Sequence, residues 1–315
     1  MRRLLLAPLA VLVLAVPATA ARLPTLPSAD WWPVSSPDGA HVAFTRVNGQ
    51  GTSFTVEDVA TATNRVVVLG ASSSQADPTW SSNGAQLAYA AGGRLYVVEA
   101  DGTGKHRYLS PAKSFAPAWR PGSDELAYLT THGSTNTDLW VAGKLWATDA
   151  IGRPAWSSDG SEIAFQRDDG IYVATGPGAA RRVVAATSPG PPAWSPNGRQ
   201  IAFTESGNDA LLVVPAAGGP VRLLAKGLAN AGPPAWLPDG TAVAVSHAGG
   251  VWVAQLGGPG YALDRSAKSF GVGSAWLGPD AVVSASLPAC PSRVGLVELA
   301  ASSGRATALA GSCTS

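Results

Sequence analysis

The most constraining feature of this chain is a short motif, Pro-x-Trp-Ser-Pro-Asp-Gly, that returns about every 40 residues. We call its central position the anchor. Tryptophan occupies the anchor in six copies, and a degenerate first copy has serine there: Ser35, Trp80, Trp119, Trp156, Trp194, Trp236 and Trp276. Repetition at this period indicates one supersecondary unit whose copies pack on one another.

Each copy also predicts its own strands and turns. Proline, aspartate or asparagine, and glycine follow the anchor and favour a tight turn between two antiparallel strands. Next comes a run of large apolar residue, alanine and aromatic residue, as in Ile163-Ala164-Phe165 and Ile201-Ala202-Phe203. A run without polar alternation is typical of a strand buried on both faces. Two further strands follow in each copy, so the unit is expected to be a four-stranded propeller blade.

These copies resemble the Pro-Asp-Gly repeats of the TolB-like β-propellers, a WD-repeat-like family. The resemblance is clearest at residues 192–198 running into 201–204, and at 155–160 running into 163–165. It implies an all-β fold, and it covers roughly residues 33 to 315. TolB itself resembles a six-bladed ring with an additional α/β domain, for which this chain has no room. We therefore predict one propeller domain of seven four-stranded blades, with six as the alternative if an end copy is incomplete.

The N-terminal residues resemble an export signal. Residues 1–20 combine Arg2-Arg3, an apolar stretch and a small-residue cleavage site near Ala20. Residues 21–32 are interpreted as a lead-in to the propeller domain at 33–315. We expect an exported protein, periplasmic or extracellular and of bacterial origin, with no membrane span after cleavage.

The charge composition argues against a nucleic-acid partner. Removal of residues 1–20 leaves 20 basic and 21 acidic residues, so no basic surface for nucleic acid is expected. The two cysteines, Cys290 and Cys313, are predicted to form a disulfide, because an exported chain is oxidised and strand alternation places both at one end of the last blade. Such a bridge contributes roughly 3 kcal/mol on the loop-entropy model.

No catalytic motif is present in the sequence. It lacks Gly-x-Ser-x-Gly, a phosphate-binding glycine loop and a His-x-x-x-His pair. The four histidines fall in different copies, so neither a metal site nor a cofactor is expected. The sequence therefore favours a non-catalytic role and leaves an enzyme open as an alternative.

A binding surface is suggested by a segment that occurs twice. Ala-Lys-Ser-Phe appears before the third and the seventh anchors, where a connecting loop should lead from one blade to the next. A long polar loop of the third blade is expected on the same face. The candidate binding residues are Lys113, Phe115, His132, Asp138, Arg153, Lys268 and Phe270. The competing interpretation is that the two phenylalanines pack beneath their loops.

These observations predict a monomeric, exported scaffold that binds a protein or peptide partner in the cell envelope or outside the cell. Two alternatives stay open at this point. One is a propeller lyase or hydrolase acting on a polysaccharide, peptide or lactone. The other is a propeller that binds a small ligand or sugar.

Overall fold

The computed structural model describes residues 29–48, 51–58, 63–69, 78–108, 110–111, 113–132, 136–248, 250–264, 269–276, 281–286, 295–300 and 306–310. Residues 1–28, Lys268, Cys290 and Cys313 lie outside this part of the chain. The expectations of a signal peptide and a disulfide therefore remain predictions. No helix in the described ranges is long and apolar enough to span a membrane.

The described strands form seven four-stranded antiparallel sheets, each made of four strands consecutive in the chain. The first sheet contains β1 (Ala29–Ser35), β2 (His41–Asn48), β3 (Gly51–Asp58) and β4 (Thr63–Leu69). The second contains β5 (Thr79–Trp80), β6 (Gln86–Ala91), β7 (Arg94–Glu99) and β8 (His106–Arg107). The third contains β9 (Ser114–Trp119), β10 (Leu126–His132), β11 (Asn136–Val141) and β12 (Lys144–Ala147). The fourth contains β13 (Ile151–Trp156), β14 (Ile163–Arg167), β15 (Gly170–Ala174) and β16 (Ala180–Ala185).

The remaining three sheets follow the same order. The fifth contains β17 (Ala193–Trp194), β18 (Gln200–Glu205), β19 (Ala210–Pro215) and β20 (Arg222–Ala225), with a 3₁₀ turn at Ser206–Asn208. The sixth contains β21 (Ala235–Trp236), β22 (Ala242–His247), β23 (Gly250–Gln255) and β24 (Tyr261–Asp264). The seventh contains β25 (Ser269–Trp276), β26 (Ala281–Ser286), β27 (Gly295–Ala300) and β28 (Ala306–Ala310). The predicted all-β propeller is confirmed.

Successive sheets contact one another around a ring, and β1 closes it by contacting β25, β26 and β27 of the seventh sheet. Because β1 also pairs with β2 in register from Ala29 to Ser35, the ring closes by packing between complete sheets. Residues 29–32, which the sequence interpretation placed in the lead-in, form the first part of β1.

The core consists of layers between neighbouring sheets. The apolar–alanine–aromatic runs are fully buried, as at Ile163, Ala164 and Phe165. The alanine faces the next sheet: Ala164 belongs to a buried cluster that contains Trp194 and Phe203 of the fifth sheet. The small side chain thus leaves room for the larger residues of its neighbour, as the sequence pattern predicted.

In the first, second, fourth and fifth sheets, the turn after the anchor is fixed by a repeated hydrogen-bond network. In the fourth sheet, Ser157 Oγ donates to Asp159 Oδ1 at 2.6 Å and accepts from the Glu162 N–H at 3.0 Å. Ser195 and Asn197 form the same arrangement in the fifth sheet. The serine therefore satisfies the backbone of the second strand while the acid or amide holds the turn.

The anchor tryptophans link each sheet to the preceding one. The indole Nε1–H donates to the carbonyl of the residue before the preceding anchor in four sheets: Trp80 to Val34 at 3.0 Å, Trp156 to Ala118 at 3.2 Å, Trp194 to Ala155 at 2.9 Å and Trp236 to Ala193 at 3.0 Å. We call this series the indole ladder. It accounts for tryptophan at these four anchors, because a large ring with one donor both fills the interface and bonds the neighbouring backbone.

The third copy departs from this turn. Arg120 occupies the position of the usual serine, and it donates from Nε to the Gly160 carbonyl of the fourth sheet at 2.8 Å. Its guanidinium also lies 5.1 Å from the ring centroid of Trp156 and 2.7 Å from Glu125 Oε2. An inter-sheet contact here replaces a local turn contact.

Candidate functional face

Strand direction divides the ring into two faces. The turns between first and second strands, and between third and fourth strands, lie on one face, which we call the lower face. The connections between second and third strands, and from each sheet to the next, lie on the opposite side, which we call the upper face. The six described residues of the sequence-predicted binding set, all but Lys268, belong to strands with one end at the upper face or, for Lys113, directly precede such a strand.

The structure places the first Ala-Lys-Ser-Phe segment partly in a strand and not wholly in a loop. Lys113 is exposed and precedes β9, whereas Ser114 and Phe115 belong to β9 itself. Ser114 is fully buried, and Phe115 packs against the clusters on both sides of the third sheet. Within this segment, Lys113 is therefore the side chain available to a partner.

The two copies of the segment start at the same register position of their sheets. In the third sheet, the anchor Trp119 pairs with Leu126, and Ser114 pairs with Thr130, four residues further along β10. In the seventh sheet, the anchor Trp276 pairs with Val282, and Ser269 pairs with Ser286, again four residues further along β26. The segment therefore holds an equivalent position in both sheets, although β25 has two more residues than β9 between this serine and its anchor.

The other predicted residues divide between neighbouring sheets. Asp138 is buried in β11 opposite Thr130, which is in turn opposite Ser114, so three polar residues form a buried row across the third sheet. His132 ends β10, and Arg153 is half-buried in β13 of the fourth sheet. The structure thus brings Lys113, His132 and Asp138 to one sheet end and Arg153 to the next sheet, whereas Phe270 lies in the seventh sheet.

A groove that the sequence did not reveal opens on the upper face between the fourth and fifth sheets. It has a volume of about 440 Å³ and is lined by Asp168, Asp169, Ala185, Ala186, Thr187 and Glu205. Asp169 accepts hydrogen bonds from Tyr172 and from Arg182, the latter at 3.0 Å, and Glu205 accepts from the Thr187 N–H. Asp168 is exposed at the groove, where its carbonyl accepts the Ser188 N–H. Asp168 and Asp169 form the hairpin turn between β14 and β15, where Arg167 pairs with Gly170.

Unusual backbone conformations concentrate on the same face. Seven described non-glycine residues have positive φ, and five of them lie in upper-face connections: Lys113 (63°), Asp149 (57°), Ser188 (49°), Asp209 (48°) and Asn230 (54°). Left-handed backbone costs a non-glycine residue roughly 1–2 kcal/mol. Such conformations persist only where the surrounding structure holds them, and they cluster at functional sites.

The chemistry available on this face is that of polar contacts. His247 ends β22, and its pKa is lowered by burial. Among the residues that the structure describes, no group of three or more histidine, cysteine, aspartate or glutamate side chains is arranged to hold a metal ion. The described upper face therefore offers exposed carboxylates, Lys113 and backbone groups for recognition.

Comparison with known proteins identifies the fold. No protein-family model matches the sequence, and no curated protein is significantly similar to it. Among solved structures, an oligogalacturonate lyase in complex with manganese aligns with a TM-score of 0.65 and 14% identity, over 87% of this chain and 90% of that one. The β-propeller domain of Cps50 (Swd1) from Myceliophteria thermophila aligns with a TM-score of 0.61 and 13% identity, over 89% and 96%.

A TolB protein is also among the similar structures. TolB from Acinetobacter baumannii aligns with a TM-score of 0.51 and 16% identity, over 80% of this chain and 74% of that chain. These identities are low, and the aligned proteins have different names and roles. The likeness therefore establishes the β-propeller fold and leaves the function to the site itself.

Proposed function

We propose that this protein is an exported, TolB-like scaffold that binds a protein or peptide partner through its upper face, in the cell envelope or outside the cell. The observation that carries the proposal is the concentration of left-handed, non-glycine residues in upper-face connections. Glycine would adopt those conformations at lower cost. The retention there of lysine, aspartate, serine and asparagine favours a role for their side chains.

The shape of the upper face supports a macromolecular partner. Lys113, Asp168 and Asp209 are exposed at the ends of the third, fourth and fifth sheets, and the groove between the last two is open to solvent. Positions spread over three sheets suit an extended or folded polypeptide. Export is supported by residues 1–20, whose pattern is that of a cleaved signal peptide.

The proposal is tested by crosslinking capture from envelope and culture-supernatant fractions, with three matched baits. One is the unmodified protein, one carries Lys113→Glu with Asp168→Lys, and one carries Ser158→Lys with Arg199→Glu. The second bait changes two exposed upper-face residues, and the third changes two exposed lower-face residues. Phe115 is left unchanged because it packs against two core clusters.

We expect a partner that the unmodified and lower-face baits retain and the upper-face bait loses, with equal melting temperatures for all three. A partner lost equally from both variants would contradict binding through the upper face. Incubation of the unmodified protein with oligogalacturonate and manganese serves as the enzymatic comparison. Release of unsaturated products there would replace the scaffold assignment by a lyase.

A further inference from the structure

The interface between the second and third sheets differs from its neighbours because it contains buried side-chain N–H and O–H groups that have no hydrogen-bond acceptor. Trp119 is the anchor of the third sheet and is 8% exposed, yet its Nε1–H has no hydrogen-bond partner. The indole ladder bonds Trp80, Trp156, Trp194 and Trp236 to a preceding carbonyl. One buried N–H is therefore left free in this interface, which is costly without a compensating acceptor.

A tyrosine hydroxyl adds a second such group. Tyr128 is fully buried, whereas the equivalent residues of the first, fourth and fifth sheets are phenylalanines: Phe44, Phe165 and Phe203. No side chain accepts a hydrogen bond from its hydroxyl, and burial raises the pKa of Tyr128 by more than a backbone contact with Gly143 lowers it. Trp140 lies directly opposite Tyr128 in β11, and its buried indole nitrogen also lacks a partner. Three side-chain donors thus share one layer of the core.

An open groove lies on the outer rim of the ring beside this layer. It has a volume of about 680 Å³ and is lined by His106, Arg107, Tyr108, Ala142 and Gly143. Tyr108 connects the groove to the core, because its ring packs edge-on against Tyr128 with centroids 6.2 Å apart. Arg107 is exposed at the rim, so its guanidinium gives the entrance a positive charge.

The corresponding aromatic pairs of adjacent sheets are covered by the protein itself. Lys105 lies over Tyr89 and Tyr96 of the second sheet, at 5.9 and 5.2 Å from the ring centroids. Arg167 lies over Phe165 and Tyr172 of the fourth sheet. The buried indole nitrogen of Trp252 in the sixth sheet also lacks a hydrogen-bond partner. Gly260 covers this atom closely, because a Cβ added to that glycine would lie only 2.7 Å from it. The third sheet combines free donors with an open approach.

We propose that the groove between the second and third sheets binds a carboxylate-bearing ligand, because free O–H and N–H donors of Tyr128 and Trp140 lie beneath a rim that carries Arg107. The guanidinium of Arg107 supplies a charge-assisted, bidentate contact, and Tyr108 supplies an aromatic wall for the ligand's apolar part. This site lies on the outer rim and is separate from the upper face. The ligand is a small aromatic acid or the C-terminal carboxylate of a peptide.

The test uses the full mature chain with ¹⁵N-labelled tryptophan, whose indole N–H signals report on Trp119 and Trp140 directly. The probes are benzoate, a tetrapeptide ending in phenylalanine with a free carboxylate, and the same peptide amidated. The variants are Tyr128→Phe, Arg107→Gln and, as a matched control, Lys226→Gln. Phenylalanine occupies the Tyr128 position in three other sheets, so that variant should fold. Lys226 is exposed just after the outer strand of the fifth sheet.

We expect saturable shifts of the Trp140 signal with a carboxylate probe, weakened about tenfold by Arg107→Gln and by Tyr128→Phe and unchanged by Lys226→Gln. A response to benzoate and to the peptide with a free carboxylate, without a response to the amidated peptide, assigns the site to any carboxylate. A response to the free peptide without benzoate assigns it to a polypeptide C-terminus. Absence of saturable shifts, equal binding of the amidated peptide, or equal loss in the control variant would overturn the proposal.

Discussion

The lower and upper faces of this propeller reach tight backbone geometry by different means. On the lower face, the turn after the anchor has glycine at φ between 69° and 74° in six sheets: Gly39, Gly84, Gly122, Gly160, Gly198 and Gly240. On the upper face, comparable φ values occur at Lys113, Asp149, Ser188, Asp209 and Asn230. The turns after the anchors therefore use the low-cost residue in all six cases, whereas the upper face combines glycines such as Gly92, Gly93 and Gly227 with five positions that keep a side chain at some cost in stability.

This difference separates residues that hold the ring from residues that are free to serve a partner. Every turn after an anchor has the same task, because it must position that anchor against the preceding sheet. Its sequence consequently repeats. The upper-face connections are held by the sheets below them and differ from one copy to the next, which is where recognition is expected on a rigid scaffold.

The largest expected effect comes from breaking the indole ladder. Trp194→Ala removes a buried ring and the hydrogen bond to the Ala155 carbonyl, so we expect the free energy of unfolding to fall by about 3–5 kcal/mol. Urea unfolding monitored by circular dichroism measures it. Leu223→Ala, at a side chain that is 47% exposed, is the matched control and should change stability by less than about 0.5 kcal/mol. A comparable loss in both variants would contradict the role given to the ladder.

The second effect tests the glycines of the lower face against one another. Gly198→Ala places a Cβ at positive φ in open space, where the nearest atom is 3.8 Å away, and should cost about 1–2 kcal/mol. Gly160→Ala has the same φ penalty, but its Cβ would lie 2.9 Å from the Pro121 carbonyl oxygen of the third sheet. We expect it to cost roughly twice as much by thermal unfolding. Equal losses would show that inter-sheet packing at this turn is easily relieved.

Sequence alone was sufficient for the fold because the lower face repeats. A tryptophan every 40 residues or so, followed by a turn and a doubly buried strand, leaves few alternatives to a ring of sheets. The indole ladder was not foreseen, since its acceptor is a backbone carbonyl that carries no sequence signature. The altered turn at Arg120 was visible as a deviation, but its contact with Gly160 required the neighbouring sheet.

The candidate site was harder to predict for a related reason. Ala-Lys-Ser-Phe drew attention as a repeated string, and Ser114 and Ser269 do share a register position. In the first copy, however, Ser114 is buried and Phe115 packs against the core, which leaves Lys113 as the exposed side chain. The acidic groove unites Asp168 of one sheet with Glu205 of the next, so no local motif announces it. The repeat motif describes one sheet at a time, so it does not predict a site that two neighbouring sheets form together.

The third prediction tests whether upper-face strain is retained for function. Lys113→Gly removes the free-energy cost of positive φ, which is larger than the entropic cost of introducing glycine. The free energy of unfolding should therefore rise by about 0.5–1 kcal/mol, while partner capture falls. Lys113→Ala is the control, because it removes the charge and keeps the backbone conformation. Thermal unfolding and capture are measured on the same samples. A less stable glycine variant would mean that the left-handed conformation is not strained.

A smaller effect is expected from the titration of the upper face. Burial lowers the pKa of His247 below its ordinary value of 6.5, so the unfolded chain takes up a proton that the folded protein resists. The contribution of this group is present above pH 6.5 and is lost as the pH falls below that value. Urea midpoints between pH 7.5 and 5 should decline in the wild-type protein and decline less in His247→Gln. An identical slope in the two proteins would exclude His247 as its source.

The smallest effect belongs to the lower face and appears in a separate pH range. Hydrogen bonds from Ser157 Oγ, then from the backbone and hydroxyl of Ser161, lower the pKa of Asp159 from 3.8 to about 2. The folded state therefore favours the carboxylate, and its contribution is present above about pH 4 and lost as the pH falls toward 2. Asp159→Asn should flatten the stability profile only in that range, and the exposed position keeps the change small. The test compares urea-unfolding midpoints at pH 2.5 and pH 5 for the wild-type protein, Asp159→Asn and Asp124→Asn, the last being an exposed lower-face control. A matching loss in that control would assign the acid sensitivity to general charge and not to the turn network.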